Sequence, residues 1–403
     1  MEQYMTGFFT FNIFLLVGGT LLFTLIFGRF MEKIRVPWVF AALLLGAIFA
    51  AFGPSFVLLT SSSTFTFLAE IGMYLLLFLI GLELNVDQMR KRLGFILPAT
   101  CIIILSEGAI GALVVHAVFG YSWILSFLVA LSFATVGEEI LIPILQEFNM
   151  VNSALGQLII GIGTVDDGFE IILLAFVSLL IGTWARADIW IVLGSLAAMF
   201  LLLALLLRLR TRPQQFRFKR IETLFPFVLA LFFVFIGVGS FAQAAPLGAI
   251  MAGIGVRLFL PTARREMIES EIKSMAYGFF APLFFVWVGA QLDIHYLFSS
   301  PLIVVLIMII SSGTKMLVSL LVGSRQLGLR GATLLGLGLS VRFSTSIIII
   351  KVLFDHRLIG ADVYSVIVAS SIVFQFVIPV VFARLMAKWG THPRFARVIT
   401  PLT

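Results

Sequence analysis

Two aspartates stand side by side inside an apolar stretch, in the run Ile-Gly-Thr164-Val-Asp166-Asp167-Gly-Phe-Glu170. A charge at the middle of a bilayer costs roughly 2.5–3.5 kcal/mol on insertion scales, so a chain that keeps two there has a use for them. The chemistry open to such a pair is to bind and release something positive, a monovalent cation or a proton. Neighbouring side chains on a helix point about 100° apart, so the two acids cannot serve one partner equally and two roles are expected. Like charges this close, out of water, resist being ionised together, which lets proton and cation compete for one place. The plainer alternative is a pair of structural carboxylates held by hydrogen bonds.

Two basic residues also fall inside apolar spans. Lys315 lies in Ile-Ser-Ser-Gly-Thr-Lys-Met-Leu, roughly 12 Å above the nearer membrane face at 1.5 Å per residue, and Asp166 roughly 18 Å above it. That difference is within a lysine's reach, so an Asp166–Lys315 ion pair is expected in preference to a lysine snorkelling to the surface. Arg342 lies in Gly-Leu-Gly-Leu-Ser-Val-Arg-Phe-Ser-Thr-Ser346, where Gly and Ser point to a helix interrupted near its centre. Arginine stays charged, so it is read as neutralising nearby carboxylates or holding exposed carbonyls. A second interruption is expected in Ser132-Phe-Ala-Thr135-Val-Gly137-Glu138-Glu139-Ile-Leu-Ile-Pro143. Interrupted helices bring opposed dipoles and free carbonyls to mid-membrane, where ions bind. One of Glu138 and Glu139 could pair with Arg342, or both could face a water-filled cavity. Glu70 and Glu107 read as isolated, hydrogen-bonded core acids. Glu170 is four residues after Asp166, on the same helical face.

The elements that must position these groups follow from composition. The chain has 403 residues, 61% hydrophobic and 12% charged. That is too apolar for a soluble globular protein and defines an all-α polytopic membrane protein. Thirteen spans are expected, at roughly 8–28, 37–53, 65–84, 94–118, 122–146, 154–182, 188–207, 224–241, 244–259, 273–297, 302–323, 328–353 and 362–387. The first lacks a basic leader and a small-residue cleavage site, so it reads as a retained helix. Basic clusters such as Arg90-Lys91-Arg92 and Arg208–Arg220 fall in alternate connections, and only Arg186, Lys351 and Arg357 fall in the others. The positive-inside rule then puts the N-terminus outside and the C-terminus in the cytoplasm of a cell (inner) membrane protein. The +7 net charge is thus spent on loop anchors, with residues 208–223 a lipid-facing linker, and nucleic acid is not an expected partner. A short tail follows the last span, so no soluble regulatory domain is expected. Cys101 reads as a packing residue, the four histidines show no metal-ligand spacing, and no nucleotide-binding motif appears. No cofactor is expected, and an ion gradient rather than ATP would drive any transport.

At this point the residues resemble a known family. Leu68-Ala-Glu70-Ile-Gly-Met-Tyr-Leu-Leu-Leu-Phe-Leu-Ile-Gly81-Leu-Glu83-Leu, Thr164-Val-Asp166-Asp167, Phe284-Phe-Val-Trp-Val-Gly289-Ala-Gln-Leu-Asp293, Lys315 and Arg342 are together similar to signatures of the bacterial monovalent cation/proton antiporters, the second cation:proton antiporter family. The resemblance covers nearly the whole chain. It implies thirteen helices in two inverted repeats, with two broken crossing helices (122–146 and 328–353). It divides the chain into an ion-carrying core near 65–182 and 273–387 and a dimerisation scaffold near 8–53 and 188–259. It makes Asp167 the main cation and proton site and pairs Asp166 with Lys315 until the ion binds. Thr135, Glu138, Glu139, Thr164 and Ser346 would be supporting polar groups. The expected partners are Na⁺ (or Li⁺, K⁺), protons, membrane lipids and a second copy of the chain, with no enzymatic activity. Two departures stand out: Ser346 where relatives often carry a glutamate, and Glu138 and Glu139 where Thr, Ser or apolar residues are usual. Two other readings compete, a sodium-coupled organic-anion symporter and a cation-binding sensor that moves nothing.

Overall fold

The computed structural model describes residues 13–33, 38, 40–52, 60–83, 94, 96–136, 145, 150, 153–184, 189–210, 221–242, 244–342 and 344–389; some side chains inside these ranges, those of Thr164 and Asp167 among them, lie outside the description. The regular elements are helices, as a lipid environment requires, because a helix satisfies its own backbone N–H and C=O groups. In order they are α1 (Ile13–Lys33), α2 (Phe40–Phe52), α3 (Ser63–Glu83), α4 (Ile96–Phe119), α5 (Trp123–Ala134), α6 (Ala154–Trp184), α7 (Ile189–Arg210), α8 (Ile221–Ser240), α9 (Ala245–Phe259), α10 (Thr262–Met275), a π-turn (Ala276–Phe280), α11 (Ala281–Ala290), α12 (Ile294–Ser299), α13 (Pro301–Leu339), α14 (Ser344–Asp355) and α15 (Ala361–Trp389). Seven helices among the described residues are long and apolar enough to cross a membrane alone, and shorter apolar helices lie between them.

These elements follow the expected spans closely, with informative differences. The tenth span begins earlier: polar α10 runs through the π-turn into α11, so Arg264 and Arg265 sit on a helix rather than in a connection. The α13 segment carries one interruption at Gly328 (φ 67°), in the left-handed region glycine enters without a Cβ penalty. Its second part, 329–339, ends at Leu339, and α14 resumes at Ser344, so the break expected around Arg342 is present. The other expected break begins where α5 ends and Thr135 turns extended (φ −64°, ψ 159°). Glu138 and Glu139, just beyond, lie outside the described residues. Lys351 is a correction: expected as an anchor in an outer connection, it is fully buried on α14.

Burial separates inner from outer helices. All ten residues of α11 are buried, and α9 is buried almost all round, which marks helices surrounded by other helices. By contrast Phe14 and Leu15 on α1, and Phe200 and Leu201 on α7, are exposed apolar side chains of the kind lipid covers. The inner helices touch through glycine. A Cβ at Gly81 would overlap the Ile250 carbonyl, and one at Gly253 the Phe78 carbonyl, so α3 and α9 meet backbone to backbone. Gly46 on α2 and Gly289 on α11 make a matching pair against Val286 and Leu43. Small residues permit this approach between helices that gain nothing from burying apolar surface in lipid.

Candidate functional site

The site is built where two interrupted helices end. Helix C-termini leave carbonyls without partners and carry partial negative charge, so each wants a cation. The Lys315 ammonium supplies it to both ends at once. It donates to the Thr135 carbonyl at the end of α5 (2.9 Å) and to the Leu339 carbonyl at the end of α13 (2.7 Å). Its third direction faces Glu107 Oε2 at 3.4 Å. Two of the ammonium's three donors are thus spent on helix-end carbonyls, and the Glu107 carboxylate balances its charge at ion-pair distance. Lys315 is therefore not a snorkelling residue; it is 0% exposed.

Glu107, on α4, bridges two cations. Its Oε1 accepts from the Ser311 hydroxyl and stands 3.3 Å from Arg342 Nη2. Arg342 also donates to Ser311. The guanidinium lies between the rings of Phe133 and Phe374, 5.0 and 4.7 Å from their centroids, a geometry that favours a flat delocalised cation. Glu107, Lys315 and Arg342 are all 0% exposed. Such a buried cluster is tolerable only because each charge has its counter-charge in contact.

Asp166 takes a different position from the one expected. The ion pair expected between Asp166 and Lys315 is replaced by the Lys315–Glu107 pair, and the Asp166 carboxylate accepts from the Val136 N–H at 2.6 Å. The two residues are still linked. The Thr135 carbonyl that holds Lys315 and the Val136 N–H that holds Asp166 belong to one peptide group, whose dipole lies between the ammonium and the carboxylate. The physical reason for the change is reach: Glu107 lies on α4, which packs directly on both α6 and α13, and fills the place the sequence assigned to Asp166.

A cavity of about 180 Å³ opens on Asp166, between α4, α5 and α6. Thr135, Asp166 and Glu170 are its polar lining; Phe127, Leu131 and Phe176 are among its apolar walls. It has room for water, and its acids repel anions.

The structure thus gathers Thr135, Asp166, Lys315 and Arg342. Ser346 is buried on α14, four residues after Arg342, and its hydroxyl has no partner among the described residues. Thr164 and Asp167 ride on α6, Asp167 one step round from Asp166, with their side chains outside the description, as are Glu138 and Glu139 entirely. The residues that sequence reasoning missed as members of the site are Glu107 and Ser311. For Glu107 the signal was its charge at membrane depth, read as an isolated acid.

A buried lysine and arginine where two interrupted helices meet, faced by carboxylates and reached by a cavity, define a helical membrane carrier for small ions. The sodium/hydrogen exchanger transmembrane family matches residues 18–388, and the chain belongs to that family. It is 27% identical over 362 residues to a probable Na(+)/H(+) antiporter 3 of Methanocaldococcus jannaschii, covering 87% of this chain and 91% of the relative. It is 28% identical over 282 residues to the glutathione-regulated potassium-efflux system protein KefC of Shigella flexneri, covering 67% of this chain and 44% of that longer protein. Among solved structures, the sodium proton antiporter MjNhaP1 of M. jannaschii aligns over 99% of this chain and 100% of its own with a TM-score of 0.63 at 16% identity, a likeness of fold.

Proposed function

We propose that the protein exchanges a monovalent cation for protons across the cell membrane, with Na⁺ the foremost candidate and Li⁺ and K⁺ the alternatives. The observation that carries the reading is a charge count. At the crossing, Lys315 and Arg342 are balanced by Glu107 and Asp166. Further carboxylates follow on the same helix, Asp167 next in the chain and Glu170 one turn on from Asp166 beside the same cavity. In a low-dielectric interior that extra negative charge needs a positive partner, which either a proton or a cation supplies. Competition for Asp167 then couples the two flows. Names of relatives that include sodium/proton antiporters support this reading. An organic anion would meet Asp166 and Glu170 first, which disfavours symport of anions.

The reading extends to architecture. The reciprocal glycine contacts, α3 with α9 and α2 with α11, are what two repeats of opposite orientation would produce on exchange. They also join the proposed scaffold (8–53 and 188–259) to the proposed core (65–182 and 273–387). The core, carrying Asp166 and Asp167, would move against the scaffold of a homodimer to expose the site alternately on each side. The N-terminus would lie outside and the C-terminus in the cytoplasm. With two acids and a lysine at the site, the exchange would be electrogenic.

In proteoliposomes containing a pH-sensitive dye, addition of Na⁺ should dissipate an imposed proton gradient, and Asp167→Asn should abolish the response. Apparent cation affinity should rise as pH rises, because the proton leaves the carboxylate; below that group's titration each pH unit costs about tenfold. Full activity in Asp167→Asn overturns the site assignment. Exchange indifferent to an imposed membrane potential overturns electrogenicity.

A further inference from the structure

The cavity beside Asp166 has more wall than a metal ion uses. Along α6 its lining recurs at Asp166, Phe169, Glu170, Leu173 and Phe176, a stripe on one helical face about 15 Å long at 1.5 Å per residue. The two carboxylates lie at one end of that stripe and hydrocarbon at the other. On α5 the order repeats, with Thr135 at the polar end and Leu131 and Phe127 one and two turns away. Hard metal cations take oxygen ligands, and the apolar part of this cavity offers none.

The cavity is closed on one side and open on another. Where α5 meets α4, a Cβ on Gly108 would overlap Leu131 and Phe127, so those two helices are tightly shut. Leu105 of α4 and Ile172 of α6 also line the cavity, yet they are 55% and 66% exposed on the surface that faces lipid. The cavity thus has an acidic inner end, an aromatic middle and a rim in the bilayer. We propose that it binds a primary alkylammonium ion that enters sideways from the membrane. Its ammonium takes the metal cation's place at Asp166 and Glu170, and its chain runs past Phe127 and Phe176 to the rim. An ammonium brings three N–H donors to those carboxylates, which refuse an anionic amphiphile. A dry cavity of roughly 150 Å³ holds a benzene ring. The 180 Å³ here therefore takes a chain segment of about six carbons, and a longer chain continues into lipid. The inference rests on the exchange reading for what the ligand displaces, and not for the binding itself.

Photolabelling tests the site without transport. Hexylammonium with a diazirine at its chain end, added to the protein in phosphatidylcholine nanodiscs, should label α4 and α6 near Leu105 and Ile172. Excess hexylammonium should cut that labelling at least tenfold, and equal hexanol or hexanoate should not. Leu105→Trp and Ile172→Trp add bulk at the rim. They should lower labelling by a similar factor while Na⁺ exchange stays at the wild-type rate. Asp166→Asn should lower it as well, through loss of the ammonium's partner. Labelling spread over α1 and α7, or unchanged in both rim variants, overturns the proposal. Equal protection by hexanol also overturns it, because the cavity would then take hydrocarbon alone, such as a lipid acyl chain. A second arm follows tracer Na⁺ exchange in proteoliposomes at equal pH on both sides, where an amine's own carriage of protons does not register. Alkylammonium ions should compete with Na⁺, gaining about fourfold in potency per methylene from propyl to hexyl and gaining again at octyl. Inhibition that excess Na⁺ does not relieve, or a fall in potency at octyl, overturns the proposal, the fall because it marks a cavity closed to lipid. Specific labelling in a protein that shows no exchange would count against the exchange reading and leave the binding site standing.

Discussion

The crossing and the far end of α14 hold the same kinds of residue in opposite states. At the crossing Lys315 and Arg342 share Glu107 as their counter-charge, all three 0% exposed, and the lysine donates to two helix-end carbonyls. At the far end Lys351 is just as buried, but its acids lie towards the surface and outnumber it. Lys315, Arg342 and Glu107 are shut away from water and from the cavity, so they act as structure and hold the two helix ends, while Asp166 beside the cavity keeps its access to water. A half-wet, unbalanced cluster can change its charge. The difference lies in charge count and water access rather than in residue type.

The comparison is broken most directly by removing the acid from each cluster in turn. Glu107→Ala leaves two buried cations without their shared anion and should cost about 3–5 kcal/mol of stability. Asp355→Ala leaves Lys351 with Glu70 and the Trp287 face and should cost about 1–3 kcal/mol. Unfolding in detergent, followed thermally or by denaturant, ranks the two. Equal losses would show that the far cluster is as structural as the crossing.

A packing test sharpens the same contrast without touching a charge. Gly81 lies where α3 meets α9, and a side chain there meets the Ile250 carbonyl. Gly81→Val should cost about 1–3 kcal/mol from overpacking. If α3 and α9 belong to parts that slide on each other, exchange should fall further than stability does. A variant as stable and as active as wild type would show that this crossing is loose.

Much of the site was legible in the sequence because lipid makes polar residues conspicuous. Lys315 and Arg342 announce themselves as charges inside apolar runs, and Gly and Ser around Arg342 mark the interruption that the structure shows between Leu339 and Ser344. What was not legible is pairing across space. Glu107 and Ser311 are more than two hundred residues apart, and no local pattern says that α4 packs against α13. The ion pair was therefore given to Asp166, the nearest acid by depth, when depth alone cannot separate acids on different helices. The peptide group shared by Lys315 and Asp166 is equally invisible, being a backbone feature of an interruption. Lys351 was misread for a related reason. A lysine near a span's end looks like an anchor in water, and only the packing of Trp287 and Phe354 around it shows otherwise.

The smallest expected effect probes that misread residue. Trp287→Phe keeps an aromatic wall against Lys351 but offers a weaker cation-binding face, and a desolvated cation on indole is worth about 2 kcal/mol at most. The loss in stability should thus stay below that of Asp355→Ala, since the Lys351–Asp355 ion pair remains. A loss equal to or larger than that of Asp355→Ala, read in the same unfolding experiment, would show that the ring rather than the carboxylate holds the ammonium.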